Sequence, residues 1–274
     1  MGSLQAPGPR LDPTLQKVKD MSNIVPGSEP FYIPGGATGC ILMHGFTAMP
    51  EEMRGLGEFL SGLGHTVLGL RLAGHATHPS DLKRTHWTDW LLDVEGGLAL
   101  LEDACERIVL IGQSMGGVIA LKAAASYSVQ AVVAMSTPYG GPPAARLSDR
   151  LQLLMHPTID KRVKRFPPGH PLHQRRELDY PAYPEFPSHI LGELGKLVAA
   201  MATCLPQVRV PVLLIQSRDD QSVPFECMGK IYAQLGTAQK EMLALEGMDH
   251  SLVCDPKREV VFQAAERFLK KVEG

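Results

Sequence analysis

Apolar positions along this chain keep two rhythms in turn, and their alternation predicts an α/β fold. Thr38–Met43, Ile108–Ile111, Gln130–Met135, Val210–Ile215 and Lys240–Leu245 are short runs. Most are apolar throughout, as strands buried on both faces of a sheet are. Phe31-Tyr-Ile and His65–Leu70 add two further strands. Between them the apolar residues recur at helical spacing. Met53, Leu56 and Leu60 mark a helix over 50–60, and Trp87, Trp90, Leu91, Val94, Leu98 and Leu101 mark one over 87–104. Others are expected from Gly116 to about Tyr127, over Ile190–Leu205 and over Phe225–Leu235. Asp255-Pro256 has the residue types of an N-cap and first helical position, with Val260, Val261, Ala264, Phe268 and Leu269 inward. Strands alternating with helices imply βαβ crossovers and a mostly parallel sheet covered on both faces. Functional groups then gather beyond the carboxyl ends of the strands.

The alternation breaks once. Residues 138–187 carry ten of the chain's 22 prolines, with only short amphipathic patches such as Leu147–Met155. This is an insertion leaving a strand end, expected to arch as a cap over whatever lies there. The domain plan is therefore a polar leader over 1–24, a core over 25–137 and 188–274, and a cap over 138–187.

The candidate chemistry centres on Gly112-Gln-Ser114-Met-Gly116, between an apolar strand and a helix. A Gly-x-Ser-x-Gly turn there forces the serine onto a strained backbone with its hydroxyl exposed. A Cβ at Gly112 or Gly116 would collide with the neighbouring turn or helix. The hydroxyl needs an imidazole to take its proton and a carboxylate to orient that imidazole. Of ten histidines, His250 lies in a loop just past the strand ending at Leu245. Asp219 and Asp220 follow the preceding strand. The oxyanion formed on acyl transfer needs donors, and one is the N–H of the residue after the nucleophile, Met115.

Composition removes other classes. The chain has 274 residues, 44% hydrophobic and 20% charged, with net charge −2. That is ordinary for a globular enzyme and poor for a nucleic-acid partner. The basic residues between Arg146 and Arg176 are dispersed among prolines and apolar residues, as on a solvated surface. Five cysteines, odd in number and without metal spacing, fit free thiols in a reducing, cytoplasmic setting. No apolar run approaches the roughly 18 residues of a membrane helix, and no secretory pattern opens the chain. His75 and His78, with His86 nearby, lack a carboxylate or cysteine at ligand spacing, so neither metal nor cofactor is expected.

His44-Gly-Phe-Thr, Gly74-His-Ala-Thr-His-Pro, Gly112-Gln-Ser-Met-Gly-Gly, Ser217-Arg-Asp-Asp-Gln-Ser-Val-Pro and Asp249-His250 together resemble the carboxylesterase and monoacylglycerol-lipase branch of the bacterial α/β-hydrolases. The resemblance runs from about Phe31 to the C-terminus and is weakest in the insertion. It implies an α/β-hydrolase fold with a cap, and hydrolysis of short- to medium-chain acyl esters, monoacylglycerols among them. The order Ser114, Asp220, His250 is that of the family. Its acid loop usually reads Gly-x-x-Asp-x-x-Val-Pro; alignment on Val223-Pro224 selects Asp220, with Ser217 replacing the glycine and Asp219 second choice. The resemblance implies the Phe46 N–H as second oxyanion donor, His44 as a residue holding that loop, and a structural role for His75. Phe46, Met115, Leu154, Ile159 and Phe166 are the candidate substrate-contacting side chains. An acyltransferase or peptidase on the same three residues, or a non-catalytic binding protein of this fold, are the alternatives.

Overall fold

The computed structural model describes residues 23–140, 161–163 and 182–274. Seven strands form one sheet: β1 (Phe31–Ile33), β2 (Thr38–Met43), β3 (Thr66–Gly69), β4 (Arg107–Gln113), β5 (Ala131–Met135), β8 (Val212–Ser217) and β9 (Lys240–Leu245). Their spatial order is β1-β3-β2-β4-β5-β8-β9. Every neighbouring pair is parallel except β1 with β3. A second, two-stranded antiparallel sheet joins β6 (Lys161–Val163) to β7 (Glu185–Pro187), both within residues 138–187.

Strand residues alternate between two apolar layers, since successive side chains point to opposite faces. Ile41, Leu110, Val132 and Leu214 pack with Trp90 and Val94 of α2 (Trp87–Glu102), Val118 and Ile119 of α3 (Met115–Ala124), and Leu197 and Met201 of α4 (Ile190–Cys204). Ile231 of α5 (Glu226–Gln234) joins this layer. On the other face Cys40, Leu42, Val109 and Val133 meet Met53, Leu56 and Leu60 of α1 (Glu51–Gly62) and Val261, Phe268 and Leu269 of α6 (Glu259–Glu273). The doubly covered sheet expected from the apolar rhythm is the one observed.

Three expectations need correction. α6 begins at Glu259, not at Asp255. The Asp255 carboxylate accepts from the Lys257 N–H (2.9 Å), closing a turn two residues ahead before the helix starts. Val260 is exposed, and Phe262 takes the inward place assigned to it. α3 stops at Ala124, short of Tyr127. All five cysteines are free thiols. Among the described residues no helix is long and apolar enough to cross a membrane. Leu154, Ile159, Phe166, the Leu147–Met155 patch and most of the leader lie outside the described residues.

Residues at both ends of the 138–187 segment contact the rest of the fold. At the departing end the Tyr139 hydroxyl bonds the Gln234 amide of α5. At the returning end Ala182 bridges to Ala48, and Phe186 meets Phe46 edge-on at 5.2 Å.

Gly116 marks a very close approach in the core: a Cβ there would lie 2.2 Å from the Met43 carbonyl oxygen at the end of β2. Gly96, on the exposed face of α2, has nothing within 4 Å of such a Cβ. Gly116→Ala should therefore cost at least about 2 kcal/mol in urea unfolding, or prevent folding. Gly96→Ala should stabilise by roughly 0.5–1 kcal/mol, the helix-propensity difference.

Candidate active site

Ser114 occupies the turn between β4 and α3 with φ 55° and ψ −116°, a conformation a non-glycine residue adopts only when its surroundings enforce it. Enforcement comes from both sides. The Ser114 N–H donates to the Met135 carbonyl of β5 (2.7 Å), and its carbonyl accepts from the N–H groups of Gly117 and Val118. Gly112 is as tightly constrained as Gly116, since a Cβ on it would fall 2.1 Å from the Gly116 carbonyl carbon.

Facing the serine, His250 Nε2 lies 2.9 Å from Ser114 Oγ. Its Nδ1 lies 2.8 and 3.1 Å from the two Asp220 carboxylate oxygens. The three side chains come from the ends of β4, β8 and β9. The Asp220 carboxylate is held by three further hydrogen bonds: its Oδ1 accepts from the Ser222 and Val223 N–H groups, each at 2.8 Å, and its Oδ2 from the Gln216 amide, also at 2.8 Å; the Gln216 amide in turn donates to the Val223 carbonyl. Asp219, the second sequence candidate, instead accepts from the Gly247 N–H (2.6 Å). The arrangement therefore separates the two acids cleanly.

The acid and histidine loops interlock. Ser217, standing where related acid loops have glycine, donates its hydroxyl to the Met248 carbonyl (2.5 Å) and accepts from the Asp219 N–H. Asp249 accepts from the Gln221 N–H (3.1 Å). The carbonyl of His250 itself receives two donors, the Gln113 amide (2.7 Å) and the Ser136 hydroxyl (2.8 Å). Ser136 is, like Ser114, a non-glycine at positive φ, 47°. Gln113, Ser136 and the tie made by Ser217 were missed in sequence. Nothing in residue type marks Ser136, whose role comes from a strand end brought near a loop 114 residues away.

The loop after β2 has a similar construction. The Gly45 N–H donates to Glu52 Oε2 (2.7 Å), the Thr47 N–H to His75 Nε2 (3.1 Å), and the Ala48 N–H to the Gly45 carbonyl (3.1 Å). Among the described residues, the Phe46 N–H has no acceptor within the chain, and nor does that of Met115 at the start of α3. Glu52 was also missed, although a signal existed. It lies on the same α1 face as Met53, Leu56 and Leu60, and a carboxylate on an apolar stripe needs a buried partner. The Met115 side chain is wholly buried in the core, whereas Phe46 is half-buried against Phe186.

His44 is wholly buried, its Nδ1 2.9 Å from the Gly45 carbonyl and its Nε2 accepting from the Leu72 N–H. Burial pushes its pKa down to about 4, the nearby Arg71 charge acting in the same sense against the Gly45 carbonyl contact. It therefore stays neutral near pH 7, as a residue holding the loop requires. His78 caps the short 3₁₀ turn Pro79–Arg84, accepting from the Ser80 N–H.

A sheet of this order, with a strained serine at the end of β4, defines an α/β-hydrolase. Residues 37–257 match the family model described as serine aminopeptidase, S33. The chain is 30% identical to a thermostable monoacylglycerol lipase of Bacillus sp. (strain H-257), over 92% of this chain and 98% of the relative. It is 26% identical to a carboxylesterase of Bacillus subtilis (strain 168), over 89% and 97% respectively. A solved structure from work on the metagenome-derived lipolytic enzymes LipS and LipT superposes with TM-score 0.81 at 29% identity, covering 90% of this chain and 99% of that one. The chain belongs to the S33 family and is a carboxylesterase- and monoacylglycerol-lipase-like α/β-hydrolase.

The lowered pKa of His44 makes stability depend on pH. Unfolding releases an imidazole of ordinary pKa, 6.5, which binds a proton that the folded state refuses until about pH 4. The His44 contribution is complete above pH 6.5 and declines as pH falls toward 4, by about 2 kcal/mol at pH 5. Urea unfolding from pH 8 to pH 5 should show this fall, and His44→Gln should flatten that part of the profile.

Proposed function

We propose that this protein is a serine carboxylic-ester hydrolase in which Ser114 is the nucleophile, His250 the general acid–base and Asp220 the orienting carboxylate. The contact of Ser114 Oγ with His250 Nε2, backed by Asp220, is the observation that carries the proposal. His250 takes the Ser114 proton as Oγ bonds to the ester carbonyl carbon. The oxyanion formed accepts from the N–H groups of Phe46 and Met115, both without acceptors among the described residues. Collapse breaks the bond to the alkoxy oxygen, which leaves as the alcohol with the proton from His250. Water then attacks the acyl-enzyme, His250 takes its proton, and the acid is released with Ser114 restored.

The names of the relatives and the resemblance of the motifs support short- to medium-chain acyl esters, monoacylglycerols included, as substrates. We take residues 138–187 as a cap over Ser114. Its support is the returning end of that segment, where Phe186 lies on Phe46 beside the candidate oxyanion donor. A cap there excludes water and buries the acyl chain, each methylene contributing about 0.8 kcal/mol.

Ser114→Ala and His250→Ala should each lower kcat on the order of 10⁴- to 10⁶-fold, and Ser114→Ala should abolish labelling by a fluorophosphonate. Asp220→Asn should cost about 10⁴-fold, whereas Asp219→Asn should retain most activity. Along a series of 4-nitrophenyl esters and monoacylglycerols, kcat/KM should rise up to about fourfold per methylene until the site is filled. Aminoacyl nitroanilides cleaved faster than matched esters would instead make the protein a peptidase.

A further inference from the structure

The Thr47 peptide is gripped from both sides. Its N–H donates to His75 Nε2 (3.1 Å), and its carbonyl accepts from the Tyr183 N–H (2.9 Å). Thr47 stands at φ 62°, a conformation that a β-branched residue does not hold unaided. The peptide that ends in the Thr47 N–H begins at the carbonyl of Phe46, so its orientation sets that of the Phe46 peptide before it.

His75 is itself clamped. It is wholly buried, its Nδ1 lies 3.0 Å from the Ala73 carbonyl, and its ring lies parallel to that of Tyr183. Because Nε2 accepts from Thr47, the ring proton sits on Nδ1 and donates to Ala73. The Ala73 carbonyl also receives the Trp90 indole N–H (3.1 Å), and the Ala73 N–H donates to Asp93 (2.6 Å), which fastens the loop to α2. The Tyr183 hydroxyl accepts from the Thr77 N–H and donates to the Gly74 carbonyl. One continuous set of hydrogen bonds thus runs from α2, through the loop around His75 and the returning end of the insertion, to the loop that carries Phe46.

We infer that His75 is a positioning residue for the oxyanion hole: acting through Thr47, with Tyr183 as its counterpart on the insertion, it aims the Phe46 N–H at the developing oxyanion. This rests on the nucleophile and oxyanion assignments proposed above. The stabilisation exists only where the oxyanion exists, so loss of His75 is felt in kcat and in tetrahedral adducts, and hardly in substrate binding.

Two polar substitutions separate aim from packing. His75→Asn keeps a donor for the Ala73 carbonyl but withdraws the acceptor from Thr47, whereas His75→Gln reaches the Nε2 position with an amide oxygen. With 4-nitrophenyl butyrate, His75→Asn should lower kcat roughly 10- to 100-fold with KM within about twofold, and His75→Gln should recover most of that loss. The affinity of butylboronic acid, which forms a tetrahedral adduct on the serine, should fall in parallel with kcat. Tyr183→Phe, which keeps its backbone N–H to Thr47, should fall between His75→Gln and His75→Asn. Equal losses in the Asn and Gln variants, or a loss in KM with kcat retained, would mean a packing role and overturn the inference. Ser114→Ala distinguishes the levels. If it is inactive while His75→Asn turns over at the wild-type rate, only this inference fails; if it stays active, the nucleophile assignment fails and takes this inference with it.

Discussion

The structure depends on holding one serine in a backbone conformation it would otherwise avoid. Ser114 at φ 55° persists because α3 is pressed against the end of β2, so closely that Gly116 has no room for a methyl group beside the Met43 carbonyl. That pressure comes from the sheet. Register aligns Met43 of β2 with Gly112 of β4 and Gln113 with Met135 of β5, and the Met135 carbonyl takes the Ser114 N–H. Strain of this kind costs on the order of 1–3 kcal/mol, offset by the apolar layers on both faces.

Around that serine, each loop is fixed less by its own residues than by a neighbour distant in sequence. Gln113 and Ser136 hold the His250 carbonyl, Ser217 holds Met248, and Glu52 and His75 hold the loop carrying Phe46. Such preorganisation lets the groups meet a developing charge without rearranging. It also explains why Gln113, Ser136, Ser217, Glu52 and His75 are buried in an otherwise apolar core, since each is matched to a backbone group that would be left orphaned without it.

These pairings mark the boundary of what the linear chain reveals. The apolar rhythm predicts the strands and helices because burial on two faces leaves a pattern in residue type, as in Thr38–Met43 or the Trp90–Val94–Leu101 stripe. The candidates Ser114, Asp220 and His250 are legible because nucleophilic catalysis calls for those residue types, and the α/β-hydrolase fold for that order at strand ends. The start of α6 was misplaced because Asp255-Pro256 suits a turn as well as a helix start, and only the Lys257 N–H bond decides between them. Ser136 and Gln113 were illegible for a different reason. A side chain that supports a distant carbonyl has no local pattern, and the partner is known only once the chain has folded.

Ser217 shows what this implies for exchanging parts between related hydrolases. Its backbone is not at positive φ, so no glycine is needed there, and its hydroxyl joins the acid loop to the Met248 carbonyl. The two loops have thereby become a matched pair. An acid loop grafted from a glycine-bearing homologue would arrive without its donor, leaving the recipient's histidine loop loosened although every reacting residue was retained. Recombination within the span from Ser217 to His250 would part the two ends of that hydrogen bond.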